Sequence, residues 1–282
     1  MLTAMSIAGF DPSSGAGVTA DLAVFAAHGL FGTSCITALT VQSTLGVKDT
    51  YPLAGDVVRD TLSYLTDDLP PAGIKIGMLA TAHTVNAVAD FLGGRPDQAR
   101  RAHIVLDPVL RSSSGRELLD SAGLAAMQER LLPQVDWITP NLDELAILSG
   151  VAVATPTDME HAGALMQRRY PGLNLVVTGG HLNPPNDLVL PFQAEAIWLP
   201  GQRIESRSTH GTGCAFSSAL MSRLVLGDSP ALAARGAKDY VFEAIRRAVP
   251  MGGGAGPLRH LWPLLEGGEA SMPPRDPGSR GT

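Results

Sequence analysis

"TAMSIAGFDPSSGAGVTADLAVFAAHG", residues 3–29, carries the reading of the fold. Thr3 to Phe10 form a short apolar run, as a buried strand requires. A proline-, serine- and glycine-rich loop follows, DPSSGAG. From Val18 the apolar residues recur at helical spacing until a closing glycine, Gly29. Strand, loop and helix make up the first part of a βαβ unit, and "TSCITALTVQ" (33–42) supplies the strand that must come next.

The rhythm then repeats. "GDVVRDTLSYLTDDLP" (55–70) is an amphipathic helix stopped by Pro70 and Pro71, and "GIKIGML" (73–79) is a strand. "TAHTVNAVADFLGG" (81–94) is a helix, and "HIVLDPVL" (103–110) is a strand ending at Asp107-Pro108. A helix follows Gly115, then "VDWITPN" (135–141) is a strand. "LDELAILSG" (142–150) and "TDMEHAGALMQRRYP" (157–171) are helices, and "NLVVTGG" (174–180) is a strand. "AEAIWLPGQRIES" (194–206) reads as a hairpin; a helix starting near Gly213 and another over about 230–249 complete the pattern. Strands separated by helices predict an α/β fold, three-layered, with a mainly parallel central sheet covered on both faces. One domain over residues 1–266 is expected. Residues 267–282, rich in Gly, Pro and Ser, have little to bury and are expected to be disordered.

Bulk properties narrow the function. The chain has 282 residues, a formal net charge of −6 and no long basic run, which disfavours nucleic-acid or anionic-membrane partners. No apolar run approaches the roughly 18 residues of a membrane span. Two cysteines, Cys35 and Cys214, are too few for a disulfide framework, and no Cys/His cluster has zinc spacing. A cytoplasmic setting is expected.

Ligands of open α/β sheets gather beyond the carboxyl ends of the strands. The polar loops fall there, and each has a bland reading beside a functional one. "STHGTGCAFSSAL" (208–220) places Gly211, Thr212, Gly213 and Cys214 ahead of a helix. Glycines let backbone N–H groups approach an anion, and the helix end adds partial positive charge. The Cys214 pKa is therefore expected to fall. The bland alternative is a glycine-rich helix start with a small buried residue. No G-x-x-x-x-G-K-[ST] P-loop is present, and DPSSGAGVTAD lacks the third glycine of a dinucleotide fingerprint. Asp11 suits a ligand loop or a simple turn before Pro12. Asp107 and Glu144 are two carboxylates at neighbouring strand ends, able to hold Mg²⁺ directly or through water; turn and helix-start roles are the alternatives. Gln42 offers an acceptor and a pair of donors to a heteroaromatic edge.

Taken in order, "SIAGFDPSSGAGVTADL", "GTSCITALTVQSTLGV", "KIGML", "VLDPVL", "LLPQVDWITPNLDEL", "GGH" and "STHGTGCAFSSAL" resemble the ribokinase superfamily, and more closely its hydroxymethylpyrimidine/phosphomethylpyrimidine kinases of thiamine biosynthesis. The resemblance implies a ribokinase-like fold and phosphorylation of 4-amino-5-hydroxymethyl-2-methylpyrimidine and its monophosphate by ATP with Mg²⁺. It implies pyrimidine contacts at Gly9, Asp21, Gln42 and Met78, with Gly211 to Cys214 as the anion hole and Cys214 deprotonating the acceptor. It places Asp107, Thr139, Asn141, Glu144, Thr178 and Thr209 on the ATP side. Relatives are often homodimers. Thr178 stands where the family often has lysine, and Arg111 is a candidate to replace that charge. Two other readings stay open: a pyridoxal/pyridoxine kinase of the same superfamily, and a non-catalytic pyrimidine-binding protein.

Overall fold

The computed structural model describes residues 1–95, 102–112, 115–180 and 182–265. The expected tail, 267–282, lies outside them, as does His181 of the TGGH stretch. One nine-stranded sheet runs in the order β3-β2-β1-β4-β5-β6-β7-β8-β9. Its strands are β1 Thr3–Phe10, β2 Phe31–Ser43, β3 Gly46–Pro52, β4 Gly73–Ile76, β5 His103–Leu106, β6 Trp137–Ile138, β7 Asn174–Val177, β8 Asp187–Leu190 and β9 Ile197–Leu199. The six strands from β2 to β7 across the sheet are parallel, and β3, β8 and β9 add antiparallel edges.

Alternation along the short central strands sorts the core into two layers. Met5, Ile7, Ile104, Leu106, Leu175 and Val177 pack on one face. That face is covered by α2 Gly55–Asp68, α3 Ala82–Gly94, α5 Leu142–Ser149 and α6 Pro156–Arg169, with α4 Ser121–Ala126 continuing into a π turn. Ala4, Val105, Val176 and Val189 point to the opposite face, under α1 Gly17–Ala27, α7 Thr212–Val225 and α8 Pro230–Arg246. A short α9, Trp262–Leu265, packs against α8 through Trp262 and Tyr240. The predicted α/β/α sandwich is thus the observed one.

The hairpin expected within 194–206 is corrected. Only Ile197–Leu199 is extended, and it pairs with β8, which precedes it. Pro200 cannot donate to a ladder. Gly201 is pressed against the Pro185 carbonyl, and its N–H goes to Asn186 Oδ1. Edge strand β3 also escaped the periodicity, because its residues are half exposed and polar. Among the described residues no helix is long and apolar enough to cross a membrane.

Candidate active site

The parallel strands all end on one rim, and the predicted loops meet there. The first and last loops touch. Gly211 is the N-cap of α7 with φ +82°, and a Cβ on it would lie 1.8 Å from the Gly15 carbonyl oxygen. Only glycine tolerates both constraints. The loop after β1 is held by Asp11: Oδ1 accepts from the Ser13 N–H and hydroxyl, and Oδ2 accepts from the Ala16 N–H. His210 Nε2 lies 2.7 Å from the same Oδ2 and 3.0 Å from the Gln42 amide nitrogen. Burial works to raise the Asp11 pKa, but hydrogen bonds from His210 and Ser13 outweigh it and lower it. Gly9 and Met78 share this end of the cleft: a Cβ on Gly9 would come 3.0 Å from Met78 Sδ. Met78 is itself packed with Ala38, Ala80 and Leu118.

Beneath the α7 N-terminus lies a buried charge cluster. Lys75, fully enclosed on β4, donates to both oxygens of Asp21 at 2.9 and 3.0 Å. Asp21 also accepts from Ser6 and Ser218 at 2.6 and 2.8 Å. Lys75 Nζ is 4.0 Å from Asp107 Oδ2, which accepts from Ser217 at 3.1 Å. Burial favours a neutral lysine, yet Asp21, Cys214 and Asp107 together raise its pKa. Burial raises the Asp107 pKa against the pull of Lys75.

Two expectations change here. Asp21 is completely buried, behind the cleft wall rather than on it, with its oxygens taken by Ser6, Lys75 and Ser218. Cys214 does sit in the first turn of α7, but its thiol pKa is pushed up to about 12. Burial is the main cause; Asp107 and Asp21 add to it, while Lys75 and the Gly17 N–H oppose it. Withdrawal from water and two nearby carboxylates outweigh the helix end. Half-buried at the helix start, Cys214 is thereby held toward the thiol form, with Asp107 close enough to oppose its ionisation.

The third group lies at the ends of β6 and β7. Asn141 and Glu144 form a capping box on α5: the Glu144 N–H donates to Asn141 Oδ1 at 2.9 Å and the Asn141 N–H to Glu144 Oε2 at 3.0 Å. Burial, then the charge of Asp107, moves the Glu144 pKa to about 8. Thr139 is buried beside Leu106. Thr178 bridges to Asn141, with its hydroxyl 3.5 Å from the Pro140 carbonyl. Thr209 is exposed and caps nothing with its side chain; its carbonyl accepts from the Thr212 hydroxyl. Arg111 is exposed, in a bridge with Glu117.

Among the described residues no three His, Cys, Asp or Glu side chains converge to hold a metal unaided. Asp107 and Glu144 nevertheless fit a hard cation that keeps its own waters and ligand oxygens, since like-charged buried carboxylates gain from a cation between them. Sequence reasoning missed Lys75 and His210. Each had a visible signal: a lysine inside the apolar strand "GIKIGML", and a histidine one residue before GTGC.

A ribokinase-like kinase is the class that this sheet, rim and helix end define. The chain belongs to the phosphomethylpyrimidine kinase family, whose model matches residues 11–259. It is 40% identical over 262 residues to the hydroxymethylpyrimidine/phosphomethylpyrimidine kinase of Streptomyces coelicolor, covering 93% of this chain and 95% of the relative. The Haemophilus influenzae protein of the same name is 38% identical, covering 91% and 95%. The crystal structure of phosphomethylpyrimidine kinase from Clostridium difficile superposes with TM-score 0.75 at 30% identity, covering 87% of this chain and all of that one. The pyridoxal kinase from Staphylococcus aureus in complex with AMP-PCP and pyridoxal gives TM-score 0.81 at 28% identity, covering 93% and 94%.

Proposed function

We propose that this chain transfers the γ-phosphoryl group of ATP to the hydroxymethyl group of 4-amino-5-hydroxymethyl-2-methylpyrimidine, and then phosphorylates the resulting monophosphate, in thiamine biosynthesis. The observation that carries the reading is the α7 N-terminus, Gly211 to Cys214, set against Asp107 and beside the Gln42–His210 end of the cleft. The reaction needs an amide for the ring edge, an anion hole and a proton acceptor, and this arrangement supports assigning those roles to Gln42, Gly211 to Cys214, and Cys214.

Phosphoryl transfer depends mainly on positioning and charge neutralisation. Gly9, Gln42 and Met78 hold the pyrimidine, and N–H groups of Gly211 to Cys214 face the transferring group. The Cys214 sulfur takes the hydroxymethyl proton while its own proton passes to Asp107, so the oxygen attacks phosphorus as the bond to ADP breaks. Lys75 and Asp21 act from behind, keeping this relay from accumulating net charge. Thr139, Asn141, Thr178 and Thr209 face the nucleotide. Asp107 and Glu144 would hold Mg²⁺ through water; the ion would neutralise phosphate charge.

The reaction belongs to one kinase domain over 1–266, in the cytoplasm, with 267–282 outside it, no nucleic-acid or membrane partner, and a homodimer as the expected assembly. A second reading, pyridoxal kinase, is favoured by the likeness to the Staphylococcus aureus structure. A panel of both alcohols and the pyrimidine monophosphate with ATP decides, following ADP release and product mass. ADP release dependent on added pyrimidine supports the proposal. A higher kcat/KM for pyridoxal gives the second reading, and no alcohol-dependent turnover gives a non-catalytic binder.

A further inference from the structure

His210 and Asp11 lie at the pyrimidine end of the cleft, and neither has a role in the transfer just described. Their geometry with Gln42 and Thr40 raises a question of hydrogen-bond accounting. The Gln42 amide oxygen is 3.1 Å from Thr40 Oγ1, and the amide nitrogen is 3.0 Å from His210 Nε2. Thr40 Oγ1 is also 3.0 Å from the Phe10 carbonyl oxygen, and His210 Nε2 is 2.7 Å from Asp11 Oδ2. Thr40 has one proton but faces two acceptors. A carboxylate oxygen at 2.7 Å requires a proton on Nε2, and that proton then points donor against donor at the Gln42 nitrogen.

Turning the amide by 180° removes both conflicts at once. Amide oxygen and nitrogen have nearly the same shape, so their partners decide the orientation. Nε2–H of His210 then donates to Asp11 Oδ2 and Gln42 Oε1, Gln42 Nε2–H donates to Thr40 Oγ1, and Thr40 donates to the Phe10 carbonyl. The other tautomer, with a bare Nε2, would set a lone pair against the Asp11 carboxylate. Asp11 cannot swing away, because Ser13 and Ala16 hold both of its oxygens. His210 is fixed as well: its ring lies over Gly15, where a Cβ would come 2.3 Å from His210 Cδ2.

We propose that Asp11 and His210 form a positioning clamp that fixes the orientation of the Gln42 amide, and so sets the enzyme's preference for a 4-aminopyrimidine edge. With one flank bound to His210 and the other to Thr40, Gln42 keeps one oxygen lone pair and one N–H for a ligand. That pair complements an exocyclic amine beside an unprotonated ring nitrogen. A pyridine bearing a phenolic hydroxyl does not offer the same donor–acceptor pair. The inference rests on the functional reading above in its choice of substrate, and on the hydrogen-bond network for the clamp itself.

Two measurements test it. Long-range ¹H–¹⁵N correlation of labelled histidines reports the tautomer of His210 directly, assigned against the His210→Ala variant or, if that fails to fold, Asp11→Asn. Nε2 protonated supports the clamp, and Nε2 without a proton overturns it. Steady-state kinetics with MgATP and the aminopyrimidine follow. His210→Ala should raise the KM for the pyrimidine about tenfold, the scale of one lost oriented hydrogen bond. Its kcat and its KM for MgATP should change by less than about threefold. His210→Gln, whose side-chain N–H can reach the place of Nε2, should restore most of the loss. In a Gln42→Leu background, His210→Ala should cost almost nothing more. A fall in kcat at unchanged pyrimidine KM, an additive loss in that background, or an equal loss for pyridoxal would each overturn the proposal. Wild-type turnover of the aminopyrimidine is measured first. Its absence defeats the functional reading, whereas the tautomer bears on the clamp alone.

Discussion

Lys75 Nζ lies 2.9 Å from Asp21 Oδ1, and neither side chain has any exposed surface. The pair sits under the N-terminal end of α7, so its integrity governs both the fold and the charge that Cys214 meets. Breaking one partner of such a pair leaves an uncompensated buried charge. Lys75→Met should therefore destabilise the protein by about 3–5 kcal/mol. Adding Asp21→Leu should recover part of that loss. Denaturant melts of the two single variants and the double variant measure it. A Lys75→Met protein as stable as wild type would show that the cluster is already neutral without the lysine.

Cys214→Ala should lower kcat by roughly 10²- to 10⁴-fold, the usual contribution of a group that accepts a proton in the transition state. Folding and ATP binding should persist. A variant keeping more than about a tenth of wild-type kcat removes Cys214 from the relay.

The raised thiol has a consequence of its own. With both Cys214 and Cys35 pushed up to about 12, the folded protein should alkylate very slowly at pH 8. Iodoacetamide labelling in the absence of ligands should be far faster after unfolding in urea. Rapid labelling of folded Cys214 would indicate a thiolate and restore the helix-end expectation.

Glu144 provides a pH signature. Its folded pKa is about 8 against an ordinary value of 4.5, so between these pH values the folded state binds the extra proton. Its contribution to stability is complete below about pH 4.5 and is lost as pH rises through about 8. Glu144→Gln keeps an acceptor for the capping box but cannot ionise. Melting temperatures measured in a metal chelator from pH 5 to 9 should fall more for wild type than for Glu144→Gln. Parallel curves would mean that Glu144 is ionised throughout.

Thr178 tests the nucleotide side. If a cation there meets charge that develops on the phosphoryl group, Thr178→Lys should raise kcat or lower the KM for MgATP. If Arg111 already serves, Arg111→Ala should be the damaging change and Thr178→Lys should rescue it. Kinetics of both single variants and the double variant separate the cases, because residues sharing one partner are non-additive. Two single variants that behave like wild type would remove both positions from the phosphates.

Central strands such as "HIVLDPVL" were legible because a strand covered on both faces is almost wholly apolar, and its polar successor then marks the ligand rim. The edges were harder to read. Pairing for β3 and β9 depends on what the neighbouring backbone offers, not on residue type, so neither strand's partner can be seen in a local window. The site divided in the same way. GTGC and Gln42 announce themselves through backbone freedom and side-chain chemistry. The direction of the Cys214 shift did not, because it is decided mainly by burial in the assembled fold, with Asp107 and Asp21, more than 100 and 190 residues away in the chain, adding to it. Nor did the burial of Asp21, whose partners Lys75 and Ser218 come from two other elements.

The contact between Gly211 and Gly15 also bears on how the protein is made. The rim is assembled from the two ends of the polypeptide: Asp11 meets His210 across 199 residues, and Asp21 meets Ser218 across 197. Such distant pairings form late, after the chain between them has ordered. A ribosome could therefore finish every central strand before the rim closes, and a nascent chain halted ahead of residue 208 would hold the loop after β1 without its partner, with Asp21 and Lys75 still lacking their cover. The rim in this architecture is completed by the last quarter of the chain arriving on the first.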